Sequence, residues 1–254
     1  MSISGDVITG KMSMIVINLI KQYKDNHNDP YLLFIINNYV SCFVDPGYIM
    51  KEDHGNTALT WACSNKMTDV ALALIATGKS NPGIQNEYGH TALIYSCINN
   101  MPDVALALIA TGESNPGAQN QGADTALTWA CSNKMIDVAL ALIATGKSNP
   151  GAQNKHADTA LIWACENKMT EVALTLIKTG KSNPGAQNQY ADTALIWACK
   201  NKMTEVALAL IKTGESNSGA KTAYNYASPA LAYTMRCEEA HLRRKYAIIY
   251  MYGW

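Results

Sequence analysis

The chain lacks an excess of charge. Its 254 residues hold 20 Lys plus Arg against 20 Asp plus Glu, and charged residues make up only 16%. A balanced sequence this poor in charge gives no electrostatic case for nucleic acid or an anionic membrane as the main partner. No window reaches eighteen consecutive apolar residues, so no membrane-spanning helix is expected. Lys11 followed by MSMIVINLI superficially resembles a signal peptide, but no small-residue cleavage site follows it and the segment reads as an amphipathic helix. Catalytic signatures are missing as well: there is no H-E-x-x-H, no Walker-type glycine loop and no nucleophile elbow. Of the five histidines, His54, His90 and His156 sit in separate polar connectors, too scattered to converge on one metal. No catalytic residue, metal ligand, cofactor or small-molecule substrate is therefore expected.

What is present is repetition. Thr57 opens the stretch TALTWACSNKMTDVALALIATG, and its equivalents Thr91, Thr125, Thr159 and Thr193 follow at intervals of 34 residues. Self-similarity at a fixed period means that each unit buries its apolar surface against copies of itself, in one elongated domain. Each Thr is placed to cap a short helix that is apolar on most faces and therefore buried between neighbours. Asn65-Lys66 ends it, Asn being tolerant of a left-handed backbone. A second helix starts at Thr68-Asp69, a register supported by Pro102 at the same place in the next copy. Acids at Asp69, Asp103, Asp137, Glu171 and Glu205 complement its dipole, and Gly78, Gly112, Gly146, Gly180 and Gly214 cap its end. SNPG then predicts a type II turn, followed by an extended polar loop or hairpin.

Five of the seven cysteines, Cys63, Cys97, Cys131, Cys165 and Cys199, share one repeat position. Stacked helices lie about 8–10 Å apart, whereas a disulfide needs Cα atoms within about 7 Å. These thiols read as small buried hydrophobes in a protein of a reducing, cytoplasmic compartment.

The flanks diverge. Residues 1–55 predict capping helices, Ile8–Lys24 and Pro30–Cys42, with a turn at Asp45-Pro46-Gly47; residues 56–222 hold the five copies. Residues 223–254 predict a closing repeat: the connector after Ser216 lengthens, Ala230–Tyr233 echoes the TALIW start, and a final helix covers about Glu238–Tyr252. Arg243, Arg244 and Lys245 beside that face fit the polar outer face a terminal repeat needs, or a basic contact for a nucleic-acid or acidic partner.

The TAL-x-WAC start, the V-A-L-x-L-I second helix and the Gly that follows resemble the ankyrin repeat, whose signature is T-P-L-H-x-A. Ala replaces the usual Pro in all five copies, Thr or Ile replaces the usual His, and Lys66, Asn100, Lys134, Lys168 and Lys202 stand where Gly is common between the helices. The 34-residue variant is similar to arrays of giant DNA viruses. The tetratricopeptide repeat shares the period, but its short turns and W-x-x-L-G pattern are absent. The resemblance implies an all-α repeat solenoid of stacked helix-turn-helix units with projecting hairpin loops. It also implies a non-enzymatic, monomeric protein that binds a protein partner through its concave face and hairpin tips. The alternatives are an adaptor recruiting substrates to a ubiquitin ligase, for which Arg236–Trp254 shows no recognisable box, or a self-associating structural array.

Two sets of residues are candidates for that contact. The first is the column Trp61, Tyr95, Trp129, Trp163 and Trp197, on the inner helix. These rings either fill the space between repeats or line the groove as hot-spot aromatics. The second is the tips, where the copies differ: Glu87, Tyr88 and His90; Gln121 and Asp124; Lys155, His156 and Asp158; Gln189, Tyr190 and Asp192. Variation there suits a tailored surface and equally an unconstrained loop. Asp124, Asp158 and Asp192 also stand where a carboxylate would cap the following helix.

Overall fold

The computed structural model describes residues 54–216 and 221–227, with isolated positions at 18, 19, 22, 49, 232 and 236. The expected terminal helices, the basic run Arg243–Lys245 and the two remaining cysteines lie outside the described residues. Across 54–216 and 221–227 eleven helices occur, with no strand among the described residues beyond an isolated bridge at Asn56. Ten of them form five pairs: α1 (Ala58–Ser64) with α2 (Thr68–Ala76), α3 (Ala92–Ile98) with α4 (Pro102–Ala110), and α5 (Ala126–Ser132) with α6 (Ile136–Ala144). They continue as α7 (Ala160–Glu166) with α8 (Thr170–Lys178), and α9 (Ala194–Lys200) with α10 (Thr204–Lys212).

The chain divides into two compact units, Met1–Ser148 and Asn149–Trp254. The division falls inside the connector between the third and fourth copies. In the first unit α1, α3 and α5 stack in order, and α2, α4 and α6 stack beside them. In the second, α7 packs on α9 and α8 on α10. Both are all-α stacks of helix-turn-helix repeats.

Local chemistry explains each pair. Thr57 and Thr125 cap their helices through capping boxes closed by Thr60 and Thr128; Thr91, Thr159 and Thr193 accept the N–H of the third helical residue. Each such cap contributes about 1 kcal/mol. The inner helices are seven residues long, too short to persist alone, and bury Leu59, Leu93, Leu127, Leu161 and Leu195 completely. The outer helices add Val70 and Leu74 and their equivalents to the same core. Gly78, Gly112, Gly146, Gly180 and Gly214 end the outer helices at φ between +66° and +73°, the cap expected of them.

Three expectations are corrected. Asn65 is not left-handed (φ −99°); the positive φ belongs to Lys66, Asn100, Lys134, Lys168 and Lys202, between +55° and +60°. The conserved amide has another task, because Asn99 Nδ2 donates to the carbonyls of Cys63 (2.8 Å) and Ser64 (3.2 Å) in the preceding repeat. Asn133 and Asn201 repeat the bond one and three copies later. The amide thus adds a donor at the carbonyl end of the neighbouring inner helix, where the Cys63 carbonyl also accepts the Lys66 N–H at 3.2 Å.

The SNPG turn is not type II. Gly83 does not take the positive φ that type II demands; Asn81 carries it instead, at +45°. Glycine is required for space, since a Cβ at Gly83 would lie 2.5 Å from the Glu113 carbonyl oxygen of the next repeat. The third correction lies after Ser216, where a helix, α11 (Lys221–Tyr226), replaces the expected connector and packs on α9.

Candidate interaction surface

The connector tips are closed turns. In the second copy the Asn86 N–H donates to the His90 carbonyl (3.0 Å), and Asn86 Oδ1 accepts the N–H groups of Tyr88 (3.1 Å) and His90 (2.9 Å). Asn120, Asn154 and Asn188 build the same turn. One left-handed residue completes each: Gly89, Ala123, Ala157 or Ala191. Two-residue ladders of the β-hairpin kind are absent from the described tips.

Neighbouring tips are tied together. Glu87 N–H donates to the His54 carbonyl and Gln121 N–H to the Tyr88 carbonyl in the first unit; Gln189 N–H donates to the His156 carbonyl in the second, each at 2.9 Å. Gln85 Nε2 adds bonds to the carbonyls of Gly89 (2.8 Å) and Gln119 (2.9 Å). Each unit therefore presents its tip side chains from a hydrogen-bonded backbone rail, which lowers the ordering cost of engaging a partner. Tyr88 is 42% exposed and Tyr190 74%. Glu87, Gln121, Lys155, His156 and Gln189 are exposed too.

Not every tip residue faces outward. Asp158 is buried, and its carboxylate accepts Asn188 Nδ2 at 2.9 Å, as Asn56 accepts Asn86 Nδ2 at 3.0 Å. Its task is to join repeats, while Thr159 caps the helix; the expected capping role for Asp158 is corrected accordingly. Asp124 and Asp192 are half-buried, and Thr125 and Thr193 are the caps after them.

His90 takes the position that aspartate holds in the later copies. Its ring stacks on Tyr95 at 4.6 Å between centroids, and its Nδ1 is buried with no hydrogen-bond partner. Burial lowers its pKa, partly opposed by the Asp124 carboxylate. At the rim, His54 lies 3.3 Å from Glu87 and packs against Tyr88 at 5.2 Å.

The aromatic column is both core and surface. All five rings are half-buried. The indole nitrogens of Trp129 and Trp197 are buried without an acceptor, and the Tyr95 hydroxyl accepts Asn86 Nδ2 at 3.1 Å. Lys200 Nζ sits 4.1 Å from the Trp197 ring centroid, a cation–π contact.

A second variable position went unnoticed in the sequence. Three residues after each aromatic, on the same helical face, stand Ser64, Ile98, Ser132, Glu166 and Lys200, all half-buried or exposed. The signal was readable, because this position changes more between copies than any other in the inner helix. Burial raises the pKa of Glu166, with Asp158 and Asp192 adding to the rise and Lys200 opposing it.

The five repeat cysteines are buried and in no disulfide. Burial pushes the Cys97 thiol up to about 12 and Cys199 to about 11 and raises Cys63 and Cys165 as well, so none of these four is poised as a nucleophile. Among the described residues no three His, Cys, Asp or Glu side chains group to hold a metal, and no helix is long and apolar enough to cross a membrane.

The family described as "Ankyrin repeats (3 copies)" matches residues 12–120, 73–149, 108–184 and 161–233. No curated protein matches the chain.

Proposed function

The chain belongs to the ankyrin-repeat family, and we propose that it is a non-enzymatic module that grips a protein partner with its tips and the exposed edge of its inner helices. Ankyrin repeats are generally protein–protein interaction modules. One observation carries the assignment of the surface: the copies differ at the tips and beside the aromatic column while the buried positions of Ala58, Leu59, Cys63, Met67, Val70, Ala71 and Leu74 stay constant. Stacking explains a constant core; it does not require Tyr88, Lys155-His156 or Gln189-Tyr190, whose side chains face water.

Contact residues under this reading are Tyr88, His156 and Tyr190, supported by Glu87, Gln121, Lys155 and Gln189, with Trp61, Tyr95, Trp129, Trp163 and Trp197 lining the inner side. His90, Asp124, Asp158 and Asp192 shape the turns behind them. The free buried thiols favour a reducing intracellular setting, and the 34-residue TAL-x-WAC form favours the giant-virus type of array.

The test is proximity labelling with the whole protein and with a Tyr88→Ala/His156→Ala/Tyr190→Ala variant. All three side chains are exposed, so the variant should keep the parent's thermal midpoint and lose the labelled partner. A partner retained at parental yield by the folded variant would remove the tips from the site.

A further inference from the structure

The junction between the second and third repeats is built unlike two others. At those, the tip asparagine of one copy reaches back to the residue that precedes the capping Thr of the copy before. Asn86 Nδ2 donates to Asn56 Oδ1 at 3.0 Å, and Asn188 Nδ2 donates to Asp158 Oδ1 at 2.9 Å. Between the second and third copies that position holds His90, whose Nδ1 is buried with no hydrogen-bond partner, so it does not take up the Asn120 amide. A buried polar atom left unpaired weakens the contact it sits in.

The backbone fit at this junction is also tighter. A Cβ at Gly89 would lie 2.9 Å from Asn120 Cα, whereas one at Gly55 would meet nothing nearer than 3.7 Å. The second tip is thus pressed against the third copy without the side-chain bond that ties the first copy to the second and the fourth to the fifth.

Packing holds the ring instead. Tyr95 of α3 stacks on it, with 4.6 Å between centroids and 19° between planes. Asp124, half-buried on the third tip, is the carboxylate that acts on His90. Glu87, on the same tip as His90, is turned to His54 at 3.3 Å. A charge on the His90 ring would lose hydration that one carboxylate does not replace, and burial accordingly lowers its pKa. The closed junction therefore favours the neutral ring, and an open one takes up the proton more readily. His54 and His156 border the other two junctions, but both are exposed, with Nδ1 lying 3.3 Å from Glu87 Oε2 and 3.2 Å from Gln189 Oε1.

We propose that the junction between the second and third repeats is an acid-opened seam: His90 takes up a proton, leaves the Tyr95 stack, and the second tip releases the third. The bonds from Gln121 N–H to the Tyr88 carbonyl (2.9 Å) and from Gln121 Nε2 to the Glu87 carbonyl (3.0 Å) break. Helices α3 and α5 stay packed through Leu93 and Leu127, so the opening is local and reverses when the proton returns to solvent. The seam rests on tip geometry alone and not on what the tips bind.

The test is amide hydrogen exchange by NMR on the whole protein, from about pH 7.5 to about pH 5, corrected for intrinsic exchange. Protection of the Gln121 amide should fall at least about fivefold, while that of Gln189, which donates to the His156 carbonyl in the same way, should change less than about twofold. His90→Asn and His90→Asp, each the residue of another copy at this position, should abolish the fall, and either serves if the other does not fold. His54→Asn/His156→Asn should leave it in place. An equal response at Gln121 and Gln189, an unchanged Gln121 amide while the His90 ring titrates, or a fall that persists in a folded His90 variant would overturn the seam. So would an equal fall at the buried amides of Cys97 and Cys131, which would make the event global unfolding.

Discussion

Repeats one to three and repeats four and five share a buried pattern and differ in what they show to solvent. Leu, Cys and Val keep their places in both groups, all at or near zero exposure. The outer helices of the first group end in Ala76, Ala110 and Ala144, and those of the second in Lys178 and Lys212. Beside the aromatic column the first group carries Ser64, Ile98 and Ser132, where the second carries Glu166 and Lys200. Positions that touch the next repeat are held by packing, because a change of even one methylene is felt in a close-packed interior. Positions that touch water are released from that demand, and the contrast between the groups becomes a guide to function.

The contrast is broken most forcefully from inside. Leu127→Ala should cost about 3 kcal/mol, the mid-range for a fully buried leucine, and Leu161→Ala should match it in the other group. Leu106→Ala, at an exposed site, should stay within about 1 kcal/mol. Urea unfolding of the three variants decides it, and equal losses would erase the distinction between buried and displayed positions.

The amide clamp comes next. Asn133→Ala and Asn201→Ala each remove a donor that two carbonyls of the preceding inner helix share: the Ile98 or Glu166 carbonyl loses it, while Cys97 and Cys165 keep the N–H of Asn100 and Lys168 at 3.3 Å. Each should cost about 1–2 kcal/mol, equally in both groups, measured by the same unfolding curves.

A gain is expected at the left-handed turn. Lys134 holds φ +58°, and the second copy already uses Asn100 there at +55°. Lys134→Asn should raise stability by up to about 1 kcal/mol, since a left-handed backbone costs most side chains about that much and asparagine less. Lys168→Asn should do the same in the second group. A fall in both midpoints would mean that lysine earns its place electrostatically at the helix end.

The smallest effect belongs to the first group alone. The pKa of His90 is lowered in the folded protein, chiefly by burial. The unfolded chain therefore takes up this proton first as pH drops below about 6.5, and stability falls through that window until the folded state protonates too. His90→Asn, the residue of Asn56 in the first copy, should flatten that part of the pH profile. Thermal midpoints at pH 5 and pH 7.5 measure it; an unchanged slope would place the response elsewhere.

How much of this was legible beforehand follows from what each residue touches. The boundaries of the second helix came from Pro102 and the acids behind it, and its end from glycine, because these are local backbone demands. The Asn65 position misled: its amide bonds with a carbonyl about 36 residues away in sequence, so local propensity pointed to the wrong neighbour. Gly83 misled in the same way, since a turn rule explained a glycine that the Glu113 carbonyl requires. The tips were singled out by their variation, whereas the Ser64 to Lys200 position was passed over until the structure put it beside the aromatics.

The sequence alone determined the repeat, its period, its caps and its buried leucines, because those depend on spacing and local geometry. Only the tertiary structure decided that Asp158 joins repeats instead of capping a helix, that the tips are linked into rails, and that each tryptophan is half in the core. It also decided that Leu106 and Ile136, apolar residues indistinguishable in character from their buried neighbours, face water. The reason is common to all four. Each depends on which copy stands next in the stack, a relation that no single 34-residue unit contains.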